Sequence, residues 1–251
     1  MYEERKINIL NKLNHDHITS VQDLSKLLNV SPATIRRDLA TMEKSGLLSR
    51  THGGAILNEE IADSLNYDQK RTKNYDLKIK IARFAAQMIQ DGDVVSINSS
   101  TITSLMPQFI EAKNITIVTN SINVAQGLKY HEDCNLILLG GTYMRKPESI
   151  EGATTVAQIK TMRFNKAFLG ANGIDLSFGF STASELEMSS KVAIIEQTKD
   201  VFFVCEHTKF DHCSVHHICD LSKVKALITD DQINIEKKKK YDASIQIYMA
   251  R

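Results

Sequence analysis

No apolar run in the 251 residues approaches the roughly 18 or more expected of a membrane-spanning helix. No leader-like stretch precedes the first helical pattern either, so the chain is expected to be cytoplasmic, without a membrane partner. Cysteine is scarce: four residues, with no paired Cys-x2-Cys knuckles, which in a cytosolic chain read as reduced thiols. Charge of one sign is lacking as well. A formal net charge of +1 excludes a general nucleic-acid coat protein, so any contact with nucleic acid must come from local placement. Internal repeats and low-complexity tracts are absent, and 42% hydrophobic residues are ample for packed cores, which argues against disorder.

What is present begins with VSPATIRRDLATMEKSGLL, Val30 to Leu48. Ser31 can cap a helix, Pro32 suits its first position, and Gly46 marks its end. Ile35, Leu39 and Met42 form one apolar stripe, which places Ala33, Arg36, Arg37, Ala40, Thr41 and Lys44 on the opposite half. That half carries three cations and no anion. A solvated surface helix is the simpler alternative, but the neighbourhood argues against it. SVQDLSKLL, Ser20 to Leu28, forms a preceding short helix with Val21, Leu24, Leu27 and Leu28 apolar, joined through a tight Asn29-Val30 turn. Tyr2 to Leu13 supplies a covering helix with Ile7, Ile9, Leu10 and Leu13. LLSRTHGGAI, Leu47 to Ile56, reads as two extended runs around a Gly-Gly turn. Three helices and a hairpin make a winged helix-turn-helix, whose second motif helix enters the DNA major groove. Residues 1–56 hold eight Lys/Arg and six Asp/Glu, a balance of +2, so specific placement outweighs bulk charge.

The stretch ATIRRDLATMEKSGLLSRTHGGA resembles the signature of the DeoR family of bacterial sugar-metabolism repressors. The match runs through Thr34 to Leu39, Glu43, Gly46, Arg50 and His52 to Ala55, with Met42 where Leu is usual. The resemblance implies operator DNA as partner, with Arg36, Arg37, Arg50 and His52 as contacts and Ser31, Ala33 and Thr34 at the groove-facing start of the helix.

Residues 1–57 are expected to form the DNA-binding domain, 58–74 a polar, partly helical linker, and 75–251 a second domain. There DLKIKIARFAAQMIQ is an amphipathic helix, followed by apolar runs at Val94–Ile97, Ile115–Val118, Leu136–Leu139, Ala167–Leu169, Val201–Val204 and Ala226–Ile228. Alternation of buried strands with helices predicts an α/β, mainly parallel sheet. The strand ends run into small polar stretches: NSST from Asn98, TNS from Thr119, Gly140-Gly141, GANG from Gly170 and CEHTKF from Cys205. Ordinary β-to-α turns have this composition too, yet five together fit a mouth for a phosphorylated small molecule at the carboxyl ends of the strands.

TNS, LGG with Arg145 following, FLGANGID and GFSTASELEMSSK resemble the sensor domain of the same family. The implied fold is Rossmann-like and similar to sugar-phosphate isomerases. The implied partner is a phosphorylated sugar, with Lys191, Lys209 and Arg145 balancing phosphate charge and Ser99 and Thr101 donating hydrogen bonds. Asn98, Asn120, Ser121, Gly140, Gly141 and Glu187 complete the expected effector site. The resemblance also suggests a homodimer or higher oligomer, and no cofactor. In this domain the chain departs from the family pattern where Asn98 and Asn165 stand for Asp, Ser100 for Gly, Ile102 for Thr and Glu206 for Asp. An amide at position 98 cannot act as a general base, which weighs against an isomerase. Cys205, His207, His212, Cys213, His216, His217 and Cys219 invite an alternative, a metal- or redox-responsive regulator, although buried cysteines and surface histidines account for the same density. The Lys237 to Lys240 run is expected to be a solvated face.

Overall fold

The computed structural model describes residues 2–16, 18–45, 47–51, 53–57 and 70–251. Gly46, His52 and linker residues 58–69 lie outside the described residues. The chain divides into two compact units, Met1–Thr72 and Lys73–Arg251.

The first unit is built from α1 (Tyr2–Asp16), β1 (Ile18–Ser20), α2 (Val21–Leu28), α3 (Pro32–Lys44), β2 (Leu48–Arg50) and β3 (Gly54–Leu57). Ser20 caps α2 by accepting the Asp23 N–H, and Asn29 ends it in the left-handed region at φ 50°. Ser31 then caps α3 through the Thr34 N–H, with Pro32 at the first turn. Ile9, Leu13, Leu24, Ile35, Leu39, Met42 and Leu48 pack into one core. Two expected core residues stay outside: Ile7 is 57% and Leu27 56% exposed. Two helical steps carry Ile7 roughly 200° from Ile9, and Leu27 lies roughly 90° off the stripe formed by Val21, Leu24 and Leu28. The hairpin forms as expected, pairing Leu48 with Leu57 and Arg50 with Ala55. A third strand, β1, joins it in the order β1-β3-β2. That pairing explains Gly54, where an added Cβ would lie 1.9 Å from the Thr19 carbonyl oxygen.

The second unit contains α4 (Tyr75–Ala86), β4 (Val94–Ile97), a 3-10 helix (Thr103–Phe109), β5 (Ile115–Thr119), α5 (Ile122–Leu128) and β6 (Cys134–Leu138). A hairpin of β7 (Thr142–Met144) and β8 (Ser149–Glu151) follows, then α6 (Ala153–Lys160), β9 (Phe164–Leu169), β10 (Gly173–Asp175) and β11 (Gly179–Thr182). The chain continues through α7 (Glu185–Glu196), β12 (Thr198–Val204), β13 (His216–Cys219), β14 (Ala226–Asp230), α8 (Ile235–Asp242) and β15 (Ile247–Ala250). Seven strands form one sheet in the order β15-β14-β12-β9-β4-β5-β6. Every neighbouring pair in it is parallel.

Strand alternation gives this sheet two cores. Val201 and Phe203 face one with Ile159 and Ile194, whereas Phe202 and Val204 face the other with Ile81 and Ala85. Burial on both faces is why these strands read as unbroken apolar runs. From β4 the chain moves outward through β5 and β6, then returns to the other side of β4 at β9 and moves outward again. The reversal lies between β4 and β9, where adjacent connections diverge and leave a crevice at the carboxyl ends.

Candidate DNA-binding and effector sites

On α3, Ala33, Arg36, Arg37, Thr41 and Lys44 are exposed, while Ile35, Asp38, Leu39 and Met42 are buried. Among the described residues neither Arg36 nor Arg37 forms an ion pair, so both guanidinium groups are available to an anion. Asp38 does not neutralise them, because it points inward. Its carboxylate accepts from Arg5 Nε at 2.7 Å and Nη2 at 3.1 Å, tying α1 to α3. Donating this hydrogen bond to Asp38 raises the Arg5 pKa above its already high usual value. Sequence reading passed over this pair, although position 38 falls on the apolar stripe, where a charge signals a buried partner. Ser31 and Thr34 stand at the start of the helix with hydroxyls 2.9 Å apart, engaged in the cap. Arg50 is exposed on β2; its backbone N–H donates to Glu43 at 2.9 Å, and its guanidinium lies a loose 3.9 Å from the same carboxylate. His52, the remaining expected contact, lies outside the described residues.

In the second unit the loops after β4 and β9 meet. Asn98 is buried, and its Oδ1 accepts the Gly170 N–H at 3.2 Å, so the amide holds the two strand ends together. A Cβ on Gly170 would come within 2.5 Å of the Ser100 Cβ. Ser100 turns its hydroxyl back to accept from the N–H groups of Ile102 and Thr103, at 3.3 and 3.0 Å. Asn165 accepts the Val94 N–H at 2.7 Å, a task its amide oxygen performs as well as a carboxylate.

Around these loops the ends of β4, β9 and β12 form a small, open cavity of about 40 Å³, lined by Ser100, Thr101, Gly170, Cys205, Glu206 and Lys209 among others. Lys209 is half-buried, and among the described residues its ammonium has no ion pair. Glu206 is paired instead with Lys78 at 2.7 Å. The net charge offered to the cavity is therefore the Lys209 cation.

Behind the cavity lies a buried polar chain. Asn120 accepts the Ser99 N–H at 3.1 Å and donates to Glu151 Oε1 at 2.8 Å. Ser190 donates to the other Glu151 oxygen at 2.5 Å. Burial pushes the Glu151 carboxyl up to about 7, against the lowering effect of the Ser190 hydrogen bond, and the nearby Glu187 charge adds to the rise. Lys191, only 2% exposed, pairs with Glu187 at 3.0 Å, and Thr182 lies 3.0 Å from the same carboxylate oxygen.

The structure thus places Thr101 and Lys209 at the cavity and puts Asn98, Ser99 and Asn120 to work joining loops. Glu187 and Lys191 satisfy one another. Ser121 is buried and caps α5 through the Val124 N–H. Gly140 is held by Gln158 and Thr155 of α6, and Gly141 packs against Thr155 at φ 150°. Arg145 is exposed in the β7–β8 turn, which is tied to the β4 loop by the Ser99 hydroxyl donating to the Pro147 carbonyl at 3.3 Å. Glu151, Ser190 and Lys78 are additions that sequence reading missed; each is a polar residue that only the fold buries.

The Cys/His-rich stretch is dispersed by the fold. Cys205 is buried at the end of β12, Cys219 is buried in β13, and Cys213 is exposed. Burial pushes both buried thiols up to about 12, which suppresses the reactive thiolate. His207 Nδ1 lies 2.7 Å from Asp230. Among the described residues no group of three or more His, Cys, Asp or Glu could hold a metal ion.

Residues 5–61 match the DeoR-like helix-turn-helix domain, and residues 73–231 match the DeoR C terminal sensor domain. The chain belongs to the DeoR family. Among its DeoR relatives, the HTH-type transcriptional regulator IolR of Bacillus subtilis (strain 168) is 31% identical over 218 residues, 86% of each chain. The glycerol-3-phosphate regulon repressor of Escherichia coli (strain K12) is 32% identical over 228 residues, 90% of each chain. Ribose 5-phosphate isomerase A from Methanocaldococcus jannaschii aligns with 55% of this chain and 55% of its own, at 14% identity and a TM-score of 0.39. This DeoR-family chain is a DNA-binding transcriptional regulator rather than an enzyme. Among the described residues no helix is long and apolar enough to cross a membrane.

Proposed function

We propose that the chain is a cytoplasmic repressor of a sugar- or carbohydrate-utilisation operon, acting as a homodimer or higher homo-oligomer and released from its operator by a phosphorylated sugar. In this reading residues 1–57 form the DNA-binding domain, 58–74 the linker and 75–251 the effector-sensing domain. Arg36 and Arg37 reach bases or phosphates from α3, Ala33 permits close approach, and the hairpin bearing Arg50 and His52 serves as the wing.

The observation that carries the effector reading is Lys209, a half-buried cation with no ion pair among the described residues, at a cavity where the strand order reverses. Unpaired cations at such a mouth favour anions, and Arg145 on the adjoining turn can add a second charge from solvent. Lys191 contributes less directly, because Glu187 already neutralises it. The relative named for a glycerol-3-phosphate regulon is consistent with a small phosphorylated effector.

A thermal-shift panel of pentose, hexose and ketose phosphates tests this reading. At least one phosphorylated sugar should raise the melting temperature while its unphosphorylated form does not, since a ligand that binds only the native state stabilises it. Lys209→Ala should reduce the shift. If none of the phosphorylated sugars stabilises the protein, the effector assignment is wrong.

A further inference from the structure

Glu206 stands at two places at once. It lines the cavity beside Lys209. Its carboxylate also pairs with Lys78 of α4 at 2.7 Å, with side chains only 8% and 3% exposed. The Lys78 ammonium in turn donates to the backbone carbonyl of Lys73. Lys73 is the first residue of the second unit, so the covalent path to the helix-turn-helix unit leaves through it. Cavity, Glu206, Lys78 and Lys73 therefore stand in series.

We propose that the Lys78–Glu206 pair is the positioning device through which an anion in the cavity acts on the segment leading to the DNA-binding unit. The proposal rests on the effector reading above for the nature of that anion. An anion held by Lys209 brings a second negative charge beside Glu206, in surroundings where screening is weak. Displacing the carboxylate weakens its attraction to the buried Lys78 cation, which is costly unless the ammonium moves as well. When it moves, the Lys73 carbonyl loses its donor and the start of α4 is freed. The ligand-free arrangement, with the series intact, is the operator-binding one.

The test uses the full chain without ligand, so its outcome is separate from that of the sugar-phosphate panel on the wild-type protein. The double substitution Lys78→Met with Glu206→Leu removes both charges while keeping volume, an exchange that buried ion pairs commonly tolerate without loss of stability. Hydrogen exchange over residues 73–80 should accelerate about tenfold or more in this variant, and operator affinity should fall about tenfold. Lys78→Arg, which keeps the charge and the donors, should restore both. If the double variant does not fold, Lys78→Gln is measured in the same two ways with the same expectation. Unchanged exchange over 73–80 in a folded variant overturns the proposal. Faster exchange with unaltered operator affinity overturns it too, since the pair would then be structural only.

Discussion

Arg37 shows how much depends on single side chains, because its guanidinium is exposed on α3 while the neighbouring Asp38 is turned away to Arg5. A bidentate arginine–guanine contact contributes about 1–3 kcal/mol of discrimination. Arg37→Ala is therefore expected to weaken operator binding by an amount of that order, measured by gel-shift titration at fixed salt; unchanged affinity for both Arg36→Ala and Arg37→Ala would sink the groove-facing assignment. Glu151 gives a prediction about pH. Its carboxyl is raised from 4.5 to about 7 in the native state, so the folded chain binds the proton more tightly than the unfolded one. Its contribution to stability is thus favourable at low pH and declines as pH rises from about 4.5 to 7. Glu151→Gln should flatten that slope, making the variant gain on wild type between pH 5 and pH 7.5 in denaturant unfolding; parallel curves would contradict the burial argument. The exposed arginines were legible in the sequence because charge on the outer half of an amphipathic helix is a local pattern. The partners of Asp38 and Glu151 were not, since Arg5 and Ser190 lie 33 and 39 residues away and no spacing rule connects them.

Elements were legible where their burial was one-sided or complete. α3 announced itself through cap, proline and stripe, and the central strands through apolar runs buried on both faces. β1 was missed because Ile18–Ser20 is too short for a period-two signal, and its third-strand role depends on tertiary pairing with β3. The small β10-β11-β13 sheet was missed because Gly179–Thr182, although buried throughout, reads Gly-Phe-Ser-Thr, which is not an apolar run. α4 stops at Ala86 rather than running on to Gln90, where the chain turns toward β4. The β1–β3 contact yields a prediction at this scale. Gly54→Ala would place a methyl group 1.9 Å from a backbone oxygen, which cannot be relieved by a side-chain rotation. Overpacking of this kind costs about 1–3 kcal/mol. Thermal unfolding of the variant should show the DNA-binding unit melting first, with the sensor transition unmoved; an unaltered first transition would show that β1 does not pack against β3.

At the scale of the whole molecule, two units can act as a switch only if the effector binds the DNA-competent and DNA-released arrangements with different affinities. The division into two parts could be read from the polar stretch between them, whereas the series from the cavity to Lys73 could not, because Lys78 and Glu206 are brought together only by the fold. Reciprocity follows from the same thermodynamics: an effector that weakens operator binding by a given factor must itself bind the operator complex more weakly by that factor. The most direct measurement is an operator titration by fluorescence anisotropy, at fixed salt, with and without each sugar phosphate that raises the melting temperature. The account predicts that such a ligand weakens operator binding about fivefold or more, that its unphosphorylated form has no effect, and that Lys209→Ala abolishes the response while binding the operator normally. Operator affinity that is the same at every concentration of every stabilising sugar phosphate would contradict it.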